Sequence, residues 1–322
     1  MSLASAYLTA IFGASFLMTQ TNAAQAAPRA RTPDEAAVMT IVEAVGVLAD
    51  TRDFEALADL YADGVTVDYS SLSGEPAAST SPDALMMQWA ATLPGFDRTR
   101  HDVSNVRAAV SGDEATATAD VVADHWIGDG HWQVTGRYDY RFAKADGAWR
   151  VTAMTFTVLD EAGSRDVFGP ASEAAAANPT DFVLRRRTRG AVRALLEGLE
   201  ARDAGRLNDL WAEEAVHELP YAPDGVAKRT VGRQALIDNF ATWPKDARNT
   251  DYTSDVVLHD TIDPRVIFAE YRGRAEIVAT GRTYEQTYGS LIRVEDGKIA
   301  LFREYFDPAP FAYAFDLGGD DE

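Results

Sequence analysis

The sequence predicts an α+β protein built from two tandem copies of one small domain, each opening with helices and closing with a curved antiparallel sheet. Three observations carry this. The chain repeats itself at a fixed offset of 150 residues: Asp53, Leu57, Asp59, Leu60 and Ala62 recur as Asp203, Leu207, Asp209, Leu210 and Ala212, Tyr138 recurs as Tyr288, and Asp146-Gly147 recurs as Asp296-Gly297. A period this long is the length of a whole domain, far above the roughly 20–50 residues of a solenoid unit. Within each copy, helical spacing of apolar residues gives way to β-branched, alternating segments, the order expected of an α+β unit.

The elements follow in order. Thr32-Pro33-Asp34-Glu35 reads as a helix start, with proline in the first turn and acids after it. Val38, Ile41, Val42, Val45 and Leu48 form its apolar stripe. A short helix is expected near 54–61, a strand at 65–69, a helix at 82–93, and four strands near 101–110, 115–127, 131–143 and 149–158, with hairpin turns at Asp113 and Asp146-Gly147. Residues 32–168 make the first domain. An alanine-rich linker is expected at 169–179. The second domain, 180–315, repeats the order: helices at 181–202, 207–211 and 233–243, a strand at 215–219, then four strands. Helices laid across such a sheet leave a cone whose open end is a pocket.

Composition narrows the function. The chain has 322 residues, 46% of them hydrophobic, enough for two cores. Fifty acidic residues against 30 basic give a net charge of -20, which argues against nucleic acid and anionic membrane surfaces as partners. Without cysteine there are no disulfides, thiolate metal sites or cysteine nucleophiles. No His/Asp/Glu spacing suggests a metal centre, and no glycine-rich phosphate loop appears. Residues 4–18 are an uncharged apolar run followed by small residues up to Gln25-Ala26-Ala27-Pro28, so residues 1–27 read as a signal peptide with a cleavage site near Ala24-Gln25-Ala26, and the protein is expected to be exported to the periplasm. The acidic tail 316–322 is expected to be disordered.

Both copies resemble the NTF2-like superfamily, specifically its SnoaL-like branch. The resemblance rests on Arg52-Asp53-Phe54-Glu55-Ala56-Leu57-Ala58-Asp59-Leu60-Tyr61 leading into a strand, and on Asp296-Gly297-Lys298-Ile299 followed by Arg303-Glu304-Tyr305-Phe306-Asp307-Pro308. It implies a cone-shaped fold that works without a cofactor. The fold hosts isomerases, dehydratases, cyclases and non-catalytic binders alike, so it does not choose among reactions.

The polar residues do more to choose. In the strand near 115–127, Ala117, Ala119, Val121, Ala123 and His125 share one apolar face, which puts His125 inside the cone. His101 begins the preceding strand, and antiparallel pairing can bring the two imidazoles together. Two imidazoles and a carboxylate in one pocket suit proton transfer near neutral pH. The first copy is further similar to scytalone dehydratase-type proteins. That resemblance matches Asp50 to a helix-end aspartate, Asp68-Tyr69-Ser70-Ser71 to a strand motif, and His101 and His125 to two inward histidines. It implies that the histidines move protons in an elimination, that Asp50 orients one of them, and that Tyr69 polarises a carbonyl oxygen. Ala49 stands where that group has a tyrosine, and its late-strand asparagine has no equivalent here. Asp68, Tyr140 and Trp126 are expected to contact the ligand.

The second copy lacks this set, with Asp251, Ala275, Glu200 and Leu219 at the positions of His101, His125, Asp50 and Tyr69. Glu304 instead stands between Phe302 and Phe306, where burial disfavours the charged carboxylate and makes it a candidate acid or base. It is similar in position to the glutamate of the Arg-Glu-Phe/Tyr close in phenazine-biosynthesis proteins, and the second domain as a whole resembles phenazine-biosynthesis and ketosteroid isomerase-like proteins; the structural alternative pairs Glu304 with His217 or Tyr221 as a buried polar contact. Glu218 and Asp251 complete the second-domain candidates. The expected reading is a cofactor-independent lyase, of dehydratase or isomerase type, acting on a small apolar oxygenated or aromatic molecule. The rival is a non-catalytic binder of hydrophobic ligands. Pairing of the two domains within one chain predicts a monomer.

Overall fold

A computed structural model describes residues 31–317, so the expected signal peptide and the end of the acidic tail lie outside the described residues. The first copy runs α1 (Pro33–Thr51), α2 (Phe54–Ala58), β1 (Tyr61–Asp68), α3 (Ser70–Ser73), β2 (Ala78–Thr80), α4 (Pro82–Ala90), a 3-10 turn at Leu93–Gly95, and the long strands β3 (Arg98–Ser111), β4 (Glu114–Ile127), β5 (Gly130–Ala145) and β6 (Ala148–Gly163). The strands form one sheet in the order β2-β1-β6-β5-β4-β3, antiparallel except where β1 runs parallel to β6. α1 starts on a capping box between Thr32 and Glu35, packs chiefly on β3, and puts Val38, Val42, Val45 and Ala49 into one core with Ala115, Ala117 and Ala119 of β4.

The second copy repeats this with α6 (Asp181–Ala201), α7 (Ala204–Asn208), β7 (Trp211–Glu218), β8 (Arg229–Val231), α8 (Arg233–Phe240), α9 (Trp243–Asp246), β9 (Ala247–Asp251), β10 (Val256–Asp260), β11 (Val266–Ile277), β12 (Thr283–Glu295) and β13 (Lys298–Tyr305). The duplication extends to backbone detail. Arg52 and Arg202 both end the first helix of their copy in the left-handed conformation, with φ of 59° and 52°. Asp53 and Asp203 both cap the next helix. Asp146-Gly147 and Asp296-Gly297 make the same turn with positive φ at both residues, the geometry for which Asp-Gly is selected. One difference concerns the strand count. The counterpart of β3 is broken into β9 and β10, which both pair with β11.

The segment expected to be a linker is ordered. Residues 168–177 form α5 (Phe168–Ala177), and its Ala171 and Ala175 are buried. α5 lies against the Leu93–Gly95 turn so closely that a Cβ on Gly95 would sit 1.7 Å from the carbonyl oxygen of Ala171. The expected alanine-rich linker thus buries Ala171 and Ala175 in a helix against this turn, while Ala176 and Ala177 stay exposed.

A last helix, α10 (Pro308–Phe315), follows β13 and ends at Asp316, which caps it and pairs with Arg282. Asp316, the first residue of the tail expected to be disordered, is thus held in place as a helix cap. The copies meet through the first turns of α6. Phe182 packs on Phe54 with ring centroids 5.7 Å apart, and Arg186 reaches Glu55 at 2.5 Å and Asp83 at 2.9 Å. Arg185 and Arg189 turn back into the second copy, toward Thr261 and Asp260. Among the described residues no helix is long and apolar enough to cross a membrane.

Candidate active site

The first cup encloses a cavity of about 380 Å³ between α1, the α4–Leu93 segment, Phe168 at the start of α5, and the inner faces of β3 to β6. Most of its wall is apolar, from Val42, Val45 and Ala49 on α1 to Trp132, Val134 and Phe156 on the sheet. The polar exceptions converge.

Gly46 sets the geometry. A Cβ there would lie 3.1 Å from the Cβ of His101 and 3.3 Å from its carbonyl oxygen, so glycine lets α1 close onto β3 at that residue. One turn further along α1, the Asp50 carboxylate accepts from the His101 backbone N–H at 2.8 Å, from the Thr99 hydroxyl at 2.8 Å, and meets His101 Nδ1 at 2.7 Å. Burial alone raises such a carboxyl. The His101 ring and these donors outweigh it and hold Asp50 below the ordinary carboxylate range.

His125 faces His101 edge-on, with ring centroids 5.5 Å apart. Its ring is wedged among Phe96, Trp132 and Phe168. Nδ1 is buried without a hydrogen-bond partner, which leaves Nε2 for the cavity. Burial, and secondarily the neighbouring His101, push its pKa down to about 3. The imidazole is therefore neutral at physiological pH. Tyr69, Tyr138 and Tyr140 also line the cavity, and burial raises all three phenols above their ordinary value, so they act only as neutral hydrogen-bonding groups.

Four of the first-domain residues singled out from sequence, Asp50, Tyr69, His101 and His125, are thus brought together, with Tyr140 beside them. Two others are not. Trp126 points to the opposite face of β4, stacked on His131 and covered by Arg98 at 3.9 Å. Trp132, the cross-strand partner of His125, takes the place in the cavity wall. The strand alternation that turns His125 inward necessarily turns Trp126 outward. Asp68 is outside the cavity lining and accepts from the Ser70 backbone N–H at 2.9 Å, a local turn contact. Trp132, Tyr138 and Phe168 were not foreseen. Trp132 and Tyr138 share the inward parity of Val134 and Tyr140, a signal readable in the sequence; Phe168 is the last residue before the supposed linker, beyond the last expected strand.

The second-domain candidates do not assemble. Glu304 is inside its cup, 2.8 Å from His217 Nε2, and accepts from the Tyr271 hydroxyl at 2.7 Å. Glu218 follows His217 on β7, so it points to the other face, where it pairs with Arg303 and Arg229. Asp251, at the end of β9, accepts from Ser254. Among the described residues no three His, Asp or Glu side chains are grouped as metal ligands.

Comparison with known proteins agrees with this architecture. Residues 30–155 match one SnoaL-like domain family and residues 192–302 match a second SnoaL-like domain family. The chain is 34% identical over 114 residues to the uncharacterized protein YesE of Bacillus subtilis (strain 168), covering 35% of this chain and 77% of that protein. It is 34% identical over 121 residues to the uncharacterized PhzA/B-like protein PA3332 of Pseudomonas aeruginosa, covering 38% and 83%. Among solved structures it is similar to a phenazine biosynthesis-related protein of Pseudomonas aeruginosa, at 20% identity and a TM-score of 0.37 over 44% of this chain and 93% of that one. It is similar also to a hexachlorocyclohexane dehydrochlorinase, LinA type 2, at 18% identity and a TM-score of 0.36 over 40% and 87%. With two such domains in one chain, the protein belongs to the SnoaL-like family.

Proposed function

We propose that the first cup is the active site of a cofactor-independent lyase, of dehydratase or isomerase type, working by general acid–base chemistry on a small, uncharged, oxygenated or aromatic molecule. The observation that carries this reading is the Asp50–His101 pair set 5.5 Å, ring to ring, from a second, neutral imidazole in a mostly apolar cavity. An ionised Asp50 fixes His101 as the tautomer with its proton on Nδ1, so the Nε2 lone pair is free to take a proton from a carbon beside a carbonyl. Tyr69 and Tyr140 supply neutral hydroxyls to hold that carbonyl oxygen as negative charge develops on it. His125, neutral in its aromatic cage, offers a hydrogen bond to the departing hydroxyl. The proton taken by His101 then leaves with that hydroxyl as water, or returns to another carbon in an isomerisation, so the balance closes without a co-reactant.

The alternative is a binder of hydrophobic molecules that does no chemistry, and the apolar wall favours it equally. A test independent of the true substrate separates the two. The protein is incubated with 2-tetralone in D2O, and exchange of the α-protons is followed by NMR. The catalytic reading expects exchange above the buffer rate that is lost in His101→Ala. Exchange no faster than buffer, with tetralone bound, leaves only the binder.

A further inference from the structure

The two cups are filled differently at matching positions. In the first, Val134, Tyr138, Tyr140 and Phe156 line the open cavity. Their counterparts 150 residues on are Tyr284, Tyr288, Ser290 and Phe306. There the space is taken by α10. Phe311 meets Tyr284 at 5.8 Å and Phe306 at 5.8 Å between ring centroids, and Phe315 meets Tyr284 at 5.9 Å.

Beneath these rings runs a polar chain. His217 pairs with Glu304, Glu304 accepts from Tyr271, Ser290 donates to the Tyr271 hydroxyl at 3.2 Å, and the Tyr284 and Tyr288 hydroxyls lie 2.7 Å apart. The first copy has Val67, Met154 and Val121 at the positions of His217, Glu304 and Tyr271. Apolar residues therefore suffice for the fold at these places, and a buried ionisable network is the costlier way to fill a core.

The hold on α10 is light. It has eight residues, too few to be stable as an isolated helix. Ala314 is its only fully buried residue. Its other anchors are side-chain bonds from Thr280, Arg282 and Gln286 to the carbonyls of Ala314, Tyr313 and Asp307, with the Arg282–Asp316 pair at the end.

We infer that the second cup is a second binding site, plugged by the chain's own C-terminal helix, and that its ligand is an uncharged planar aromatic molecule bearing a hydroxyl or carbonyl oxygen. The rings of Phe311 and Phe315 hold the place of the ligand's ring system. The Tyr284–Tyr288 hydroxyl pair and the network behind it provide partners for the ligand's oxygen once α10 moves aside. The plug competes with the ligand, so whatever loosens α10 tightens binding.

The test uses full-length protein and 1-naphthol, with hydrogen exchange read peptide by peptide. In the wild type, added naphthol should slow exchange across β12, residues 283–295, and speed exchange across residues 308–317 severalfold as the helix is displaced. In Phe311→Ala/Phe315→Ala, where three ring contacts of the plug are removed, the protection of β12 should appear at about tenfold lower naphthol. Adding Ser290→Leu to that variant should abolish it. Two results overturn the inference: β12 exchange unchanged by saturating naphthol, or β12 protected while exchange across α10 stays as it was. The wild-type measurement decides by itself if the double variant does not fold.

Discussion

Asp50 grips His101 twice, through the ring at Nδ1 (2.7 Å) and through the backbone N–H (2.8 Å), although the two residues are 51 positions apart and on different elements. The carboxylate thus fixes the imidazole's position and its proton together. Separating those effects gives the first prediction. Asp50→Asn keeps the size and can keep a bond to the backbone, but it presents a neutral group to Nδ1 and no longer stabilises the imidazolium. Turnover should fall about 100-fold or more with little change in substrate affinity. Single-turnover rates and ligand titration of the variant check both halves.

His125 sets a pH dependence of stability. Its folded pKa is about 3, below the ordinary 6.5. Between those values the unfolded chain takes up a proton that the folded protein refuses, so stability falls as pH drops from about 6.5 toward 3, by up to about 1.4 kcal/mol per pH unit. Asp50 adds a separate loss only at lower pH. Its folded pKa is lowered, so its stabilisation is present above the ordinary 3.8 and disappears as pH falls through the folded value. Urea unfolding at pH 6.5 and pH 5 should therefore show a loss of about 1.6 kcal/mol in the wild type, because at pH 6.5 the unfolded histidine is already half protonated. His125→Phe should remove most of that difference.

The two neighbouring tryptophans should separate cleanly. Trp132 is in the cavity wall, whereas Trp126 is on the outer face beneath Arg98 and beside His131. Trp132→Ala should weaken binding of an aromatic probe by about tenfold or more, because it removes a ring from the wall and opens the space behind His125. Trp126→Ala should leave the dissociation constant within about twofold, since surface substitutions away from a site change little. Fluorescence titration with 1-naphthol against each variant distinguishes them.

Much of this was legible in the sequence because it is periodic. The 150-residue offset pairs Asp53 with Asp203 and Asp146-Gly147 with Asp296-Gly297, which the structure shows as matching caps and turns. Strand alternation places His125 on the same side as Ala117 to Ala123, and correctly applied it also sends Trp126 outward. What could not be read depends on contacts between distant segments. Nothing local tells that Gly46 brings α1 onto His101, or that Ala171 and Ala175 make α5 a wall rather than a linker. The same holds for α10: Pro308 to Phe315 is short and flanked by acids, and its helix exists by virtue of the cup it enters. Glu304 shows the limit from the other side. Its burial between Phe302 and Phe306 was readable and so was His217 as a candidate partner, although His217 comes from a strand 87 residues earlier; the Tyr271 hydroxyl that completes the contact was not.

The junction between the copies yields the last prediction. Phe182, on the first turn of α6, belongs to the core of the first domain, where its ring meets Phe54, and Arg186 one turn on spans Glu55 and Asp83. The two contacts differ in kind. Phe182 is buried, so Phe182→Ala loses both transfer free energy and packing and should destabilise the first domain by about 3 kcal/mol. Glu55 and Asp83 are more than half exposed, so Arg186→Ala should cost no more than about 1 kcal/mol, and less in high salt. Because α6 is also the main helix of the second domain, loss of Phe182 should uncouple the two units. Urea unfolding of Phe182→Ala should then proceed in two separated steps where the wild type and Arg186→Ala unfold in one. A single, unshifted transition for Phe182→Ala would mean that this contact neither stabilises the first domain nor couples it to the second.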